Sequence, residues 1–141
     1  MIAQILLVED NESDEKLTFL AFKSCGVAHE LVVQRDGAAA LDWLATAPAL
    51  PRVVLLDLKL PLIGGLEVLR RLRSEPRTER LPVVVLTSSI QEDDIARSYA
   101  LGANAYVRKP VDFLEFGESV KTLSRFWLVL NIAPPGIADR P

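Results

Sequence analysis

Apolar and polar positions alternate in blocks along this chain, and the blocks have two periods. Ile5-Leu6-Leu7-Val8 is apolar without interruption and runs straight into Glu9-Asp10. Val53-Val54-Leu55-Leu56 does the same before Asp57, with Leu58-Lys59-Leu60-Pro61 and Gly64-Gly65 following. A short continuous apolar run closed by turn residues reads as a strand buried on both faces. Leu31-Val32-Val33, Pro82-Val83-Val84-Val85-Leu86 and Ala105-Tyr106-Val107 bring such runs to five.

Between the strands the spacing becomes helical. Asn11-Glu12-Ser13-Asp14 supplies helix-start residues, Leu17, Leu20, Ala21 and Ser24 follow, and Gly26 stops the helix. Asp36-Gly37 turns the chain into an alanine-rich helix over residues 38–44, ended by Pro48 and Pro51. Leu66, Val68, Leu69 and Leu72 form the apolar stripe of a third helix. Gln91-Glu92-Asp93-Asp94 opens a fourth that Gly102 closes. Asp112 caps a fifth carrying Phe113, Phe116, Val120, Leu123 and Trp127. Five strands alternating with five helices predict an α/β doubly wound parallel sheet with right-handed crossovers. The expected fold is flavodoxin-like, (βα)5, with strand order 2-1-3-4-5.

The length of 141 residues, half of them hydrophobic, suits one domain with a proper core. A single domain is expected over residues 1–130, with an extended C-terminal helix or arm. Residues 131–141 are expected to form a proline-rich tail, loosely ordered or engaged in a dimer. The net charge of −3 offers no basic stripe, so nucleic acid is not an expected partner. Cys25 is the single cysteine, which excludes an intramolecular disulfide and suggests a packed core thiol. No apolar run is long enough for a bilayer, and Met1-Ile2-Ala3-Gln4 lacks a secretory flank, so a cytoplasmic location without membrane contact is expected. His29, the one histidine, is read as an exposed residue opening the second strand.

The chemistry gathers at the carboxyl ends of the strands, where open parallel sheets bind ligands. That edge collects Glu9 and Asp10 from the first strand, Asp57 from the third, Thr87 from the fourth and Lys109 after the fifth. Three crowded carboxylates need a cation to stay ionised, and oxygen donors suit Mg²⁺. A hydroxyl and an ammonium opposite the cation suit the oxygens of a phosphoryl group. Asp57 is the oxygen nucleophile of the set, since a carboxylate can form an aspartyl phosphate.

These motifs together resemble the receiver domain of response regulators in two-component signalling, over residues 3 to about 125. The resemblance implies that Asp57 accepts a phosphoryl group from a sensor histidine kinase. It implies that Glu9, Asp10, Asp57 and the main-chain carbonyl of Lys59 hold Mg²⁺, and that Thr87 and Lys109 contact the phosphoryl group. It further implies a cis Lys109-Pro110 bond and a switch in which Tyr106 turns inward as Thr87 moves. Lys59 and Ser89 stand where the family tunes phosphate lifetime. The protein would then assist its own phosphorylation and dephosphorylation without being an enzyme for a separate substrate.

Phe126-Trp127-Leu128-Val129-Leu130 is apolar at consecutive positions, more than one stripe facing a sheet requires. It is read as a homodimer contact through Phe126, Trp127, Leu128 and Leu130, against a bland alternative of a longer helix folded back on its own domain. This ending, with the start Val-Glu-Asp-Asn-Glu-Ser-Asp, resembles the stand-alone response regulators paired with bacterial phytochromes. The implied partner is a red-light-sensing histidine kinase. Three other readings fit parts of the pattern. A Mg²⁺-dependent phosphatase of the haloacid-dehalogenase type wants a second Asp where Lys59 stands. A flavin or nucleotide module wants a Gly-rich anion loop where Asn11-Glu12-Ser13-Asp14 stands. A constitutive scaffold of the same fold would not need the complete site.

Overall fold

A computed structural model describes residues 2–137. The strands are β1 (Ala3–Val8), β2 (His29–Gln34), β3 (Val53–Leu56), β4 (Val83–Thr87) and β5 (Ala105–Arg108). The helices are α1 (Glu12–Lys23), α2 (Gly37–Thr46), α3 (Gly65–Ser74), α4 (Glu92–Ala100) and α5 (Phe113–Arg125). All strands pair in parallel in the order β2-β1-β3-β4-β5, as the alternation of the sequence implies.

Every residue of β3 and β4 is buried, because helices cover both faces of the sheet. On one face Leu6, Val8, Val54 and Leu56 pack with Ala40 and Leu44 of α2 and with Val68, Leu69 and Leu72 of α3. On the other, Ile5, Leu7, Val53 and Leu55 pack with Ala21 and Phe22 of α1 and with Phe116 and Val120 of α5. The alternation along β1 and β3 therefore decides where their ends point. Carried one step past the strands, it sends Glu9 and Asp57 toward the α1/α5 side.

Local chemistry sets the helix starts. Asn11, Asp36 and Asp112 each accept a hydrogen bond from a backbone N–H inside the first turn of α1, α2 and α5. The first turns of α1 and α4 are acidic, which suits the positive end of the helix dipole. Gly65 opens α3 against the backbone of the site strand. A Cβ there would lie 2.3 Å from the Asp57 carbonyl oxygen and 2.7 Å from Leu58 Cα, so only glycine lets α3 start beneath the Asp57 loop.

Several sequence expectations are corrected at the edges of the fold. Leu20 is exposed, and Thr18, Ala21 and Phe22 form the buried side of α1 instead. Cys25 is half-buried, with its thiol near the Val27 carbonyl rather than in the core. His29 does open β2, but its ring is half-buried, 5.6 Å from Phe22, and Nδ1 lies 2.8 Å from the Val27 carbonyl oxygen. The Lys109–Pro110 bond is trans, as is every peptide bond among the described residues. Trans is the lower-energy form even before proline, and with it Lys109 already reaches its carboxylate partners.

The end of the chain departs most from expectation. Helix α5 runs on into a π-helical turn, Phe126–Leu130, closed by the Asn131 amide donating to the Phe126 carbonyl. Trp127 and Leu128 turn inward and join the core beside α1 and α5, leaving Phe126 at 45% and Leu130 at 70% exposure. Arg52, from the loop before β3, donates to the Leu128 carbonyl at 3.1 Å. Of the four expected dimer residues, Trp127 and Leu128 are thus spent within the domain, because their side chains pack in the cluster that α1 and α5 form with β1 and β3. The tail then returns beneath the opposite face. Ile137 is only 5% exposed and belongs to the cluster of Leu44, Leu50 and Leu81, so the tail is anchored at that point, while Ile132, Pro135 and Gly136 before it are exposed. The expectation for residues 138–141 lies outside the described residues.

Candidate functional site

Parallel register builds the site. Val8 lies opposite Leu56, so Glu9 and Asp57 emerge side by side from β1 and β3. The Asp57 amide donates to the Val8 carbonyl at 3.1 Å and the Glu9 amide to the Gln34 carbonyl at 3.0 Å. These bonds extend the ladders one residue past the strands and fix both acids at the sheet edge. Thr87 ends β4, and the Lys109 amide donates to its carbonyl at 2.7 Å, which anchors the lysine one step beyond β5.

Lys109 is the centre of the cluster. Its ammonium donates to Glu9 Oε1 at 2.5 Å, to Asp57 Oδ2 at 2.8 Å and to Asp14 Oδ2 at 3.0 Å. An ammonium has three hydrogens, and all three are used. Lys109 and Asp57 are each 8% exposed and Glu9 2%, so these are charge-assisted bonds with little water to weaken them. Two backbone amides complete the cradle: Lys59 donates to Asp57 Oδ1 and Asn11 to Glu9 Oε2, both at 3.2 Å.

The two buried acids respond differently to one environment. Burial dominates at Glu9 and outweighs Lys109, raising its pKa to about 7. Burial opposes ionisation at Asp57 too, but the Lys109 bond and charge, with the Lys59 amide and the nearby Thr87 hydroxyl, prevail and hold it below the usual carboxylate range. Lys109, though buried, is held fully protonated by Asp57 and Glu9. The site therefore favours an ionised Asp57 beside a Glu9 that titrates near neutrality.

Asp10 is exposed, and one carboxylate oxygen from each of Glu9, Asp10 and Asp57 lies within 4.8 Å of the others. An all-oxygen set of this kind, with one open side, fits a hard divalent cation that keeps several waters. The Lys59 side chain is exposed, while its backbone borders Asp57.

Thr87 is fully buried, and its hydroxyl, near enough to Asp57 to lower that carboxyl's pKa, makes no full hydrogen bond. A buried orphan hydroxyl is costly and calls for a reason, and at this strand end an incoming anion would supply the missing acceptor. Tyr106, half-buried on β5, donates its hydroxyl to the Ser89 carbonyl at 2.8 Å, so its ring already leans toward the loop after β4. Ser89 in turn donates to Asp94 Oδ2 at 2.5 Å.

The structure thus brings together Glu9, Asp10, Asp57, Thr87 and Lys109. It adds one residue the sequence reading passed over, Asp14, which was read only as a helix-start acid. The available signal was position: Asp14 stands four residues after Asp10, in the first turn of the helix above the site.

A parallel 2-1-3-4-5 sheet with this acid, hydroxyl and lysine edge defines a response regulator receiver domain. The model of that family, the response regulator receiver domain, matches residues 5–121, and the chain belongs to it. Among relatives, it is 41% identical to the probable methanogenesis regulatory protein FilR2 of Methanothrix harundinacea, over 92% of this chain and 86% of that one. It is 40% identical to the response regulator Rcp1 of Synechocystis sp., covering 88% of each. The Mn(2+)-bound form of Rcp1 superposes with a TM-score of 0.89 at 38% identity, over 94% of this chain and 99% of that one. The phosphorylated cyanobacterial phytochrome response regulator RcpA superposes with a TM-score of 0.91 at 40% identity, over 95% and 99%.

Proposed function

We propose that this receiver domain is a phosphorylation switch in which Asp57 takes a phosphoryl group from a phosphohistidine of a sensor kinase. The observation that carries it is the ionised, nearly buried Asp57, held by Lys109 next to a buried Thr87 hydroxyl that makes no full hydrogen bond. In the transfer the histidine N–P bond breaks and a P–O bond to an Asp57 oxygen forms, with the electron pair of the broken bond staying on the imidazole. Lys109 would exchange its carboxylate contacts for a phosphoryl oxygen, and Thr87 would donate to another.

Mg²⁺ is the proposed cation, held by Glu9, Asp10, Asp57 and the Lys59 carbonyl; when bound it neutralises charge on the transferring group. The Mn(2+)-bound form of Rcp1 supports a divalent cation in such a site. Inward movement of Thr87 would then be read at Tyr106 and the loop carrying Ser89, a local charge change acting on a two-state surface. The protein acts on itself and on partners, and is not proposed as an enzyme for another substrate.

The proposed kinase is a bacteriophytochrome-type sensor, a reading supported by the description of RcpA as a phytochrome response regulator. Homodimerisation is proposed through the exposed remainder of the C-terminal turn, Phe126 and Leu130 with Val129. Among the described residues no helix is long and apolar enough to cross a membrane, and a cytoplasmic site of action is proposed.

The test is incubation with acetyl phosphate and Mg²⁺ followed by intact-mass measurement. Wild type should gain one phosphoryl group that is absent without Mg²⁺ and absent in Asp57→Asn. An adduct that persists in Asp57→Asn would place the acceptor elsewhere, and no adduct in wild type would favour the constitutive scaffold.

A further inference from the structure

The ammonium of Lys109 has three carboxylate partners, and they are not equivalent. Glu9 and Asp57 belong to the set whose oxygens converge for a cation. Asp14 does not; it projects from the first turn of α1, with its side chain 25% exposed at the rim. Its backbone is fixed independently, since its amide donates to Asn11 Oδ1 at 2.9 Å and its carbonyl accepts from Thr18 at 2.7 Å.

A cation entering among Glu9, Asp10 and Asp57 competes with Lys109 for two of its three partners. An ammonium stripped of all carboxylates in a site this buried would pay heavily in desolvation. Asp14 removes that problem, because it can keep its bond while the other two are given up.

We propose that Asp14 is a positioning residue that retains Lys109 on the α1 side of the site when a divalent cation takes Glu9 and Asp57. Cation entry then costs the lysine two bonds and leaves it one. The lysine stays poised at the rim, charged and close to Asp57. This rests on the reading of Glu9, Asp10 and Asp57 as a cation site.

The experiment is a Mg²⁺ titration followed by two-dimensional amide NMR, using the Lys59 and Asn11 amides that donate to Asp57 and Glu9 as reporters. Wild type, Asp14→Asn, Asp14→Glu, Glu12→Gln and Asp57→Asn are compared. Glu12 is the control, an exposed acid in the same helical turn that pairs with Lys16 at 3.2 Å on the surface. Asp14→Asn should weaken Mg²⁺ about five- to tenfold, since it removes a charge-assisted bond at a partly shielded position. Asp14→Glu should recover most of the affinity, and Glu12→Gln should stay within about twofold of wild type, as for an exposed charge. The Lys109 ammonium protons should exchange slowly with water in Mg²⁺-saturated wild type and fast in Asp14→Asn. Equal losses in Asp14→Asn and Glu12→Gln would reduce Asp14 to bulk charge and overturn the proposal. Undiminished Mg²⁺ binding in Asp57→Asn would overturn the cation-site reading itself, and the proposal with it.

Discussion

Glu9 offers the sharpest quantitative handle, because its pKa stands at about 7 where an ordinary glutamate titrates near 4.5. Burial is the larger cause, and Lys109 only partly offsets it. A carboxyl whose folded pKa is raised holds a proton in the native state that the unfolded chain has already lost. Without a cation, stability should therefore fall as pH rises from about 4.5 to about 7 through this group, and level off above. A divalent cation reverses the preference, since it binds only the carboxylate. Binding near neutrality should then expel a proton: about half a proton per cation at pH 7 and about 0.9 at pH 6. The same linkage lowers apparent Mg²⁺ affinity about tenfold between pH 8 and pH 6. Isothermal titration calorimetry in buffers of different ionisation enthalpy measures the proton count directly. Glu9→Gln should weaken cation binding and remove the proton release while raising cation-free stability at pH 8. Proton release that is absent at pH 6 in wild type, or unchanged in Glu9→Gln, would refute the assignment of the raised pKa to this residue.

Three further outcomes follow from the packing. Thr87→Val replaces an unpartnered buried hydroxyl by a methyl of similar shape, so chemical denaturation should show stability unchanged or raised by up to about 1 kcal/mol, while the acyl phosphate should decay faster by intact mass. A loss of stability near 2 kcal/mol would mean that the hydroxyl has a partner after all. Ile137→Ala should lower stability by about 1–3 kcal/mol, with the loss capped by the docking energy of the tail; an unchanged denaturation midpoint would mean that Ile137 contributes nothing to the core. Phe126→Ala with Leu130→Ala should abolish any dimer in light scattering while lowering the thermal midpoint only modestly, because Leu130 is 70% exposed and Phe126, in edge contact with Trp127, is 45% exposed; a dimer that survives would exclude this surface.

Most of the sheet could be read from the chain because its information is local. A continuous apolar run can only be a strand covered on both faces or a buried helix, and lengths of four or five residues closed by acids or turn residues leave the strand. The acids at the ends of β1 and β3, Thr87 and Lys109 then fall at one edge by topology alone. What residue order could not show is how one ammonium divides itself among acids. Asp14 reaches Lys109 because α1 packs beside α5 on one face of the sheet; its place in the first turn after Asp10 hints at the site, but not at the lysine it pairs with. The protonation of Glu9 is likewise a product of enclosure: the same residue on a surface would titrate as an ordinary glutamate.

The C-terminal turn shows the boundary most clearly. Phe126-Trp127-Leu128-Val129-Leu130 signals only that apolar surface must be covered. Which of these side chains the domain covers itself depends on the π-helical phase of the turn and on Arg52 holding the Leu128 carbonyl. Ile137, a single apolar residue after two prolines, carries no periodic signal at all, yet it is buried because the hollow beside Leu50 lies within reach of the returning chain. Strand order, helix faces and the chemical cast of the site were thus determined by pattern, since burial on two faces constrains every position of a strand. Partner choice among charges, pKa and the division of the C-terminal apolar residues between core and surface were decided by tertiary packing, because each depends on groups distant in sequence that only the closed fold brings into contact.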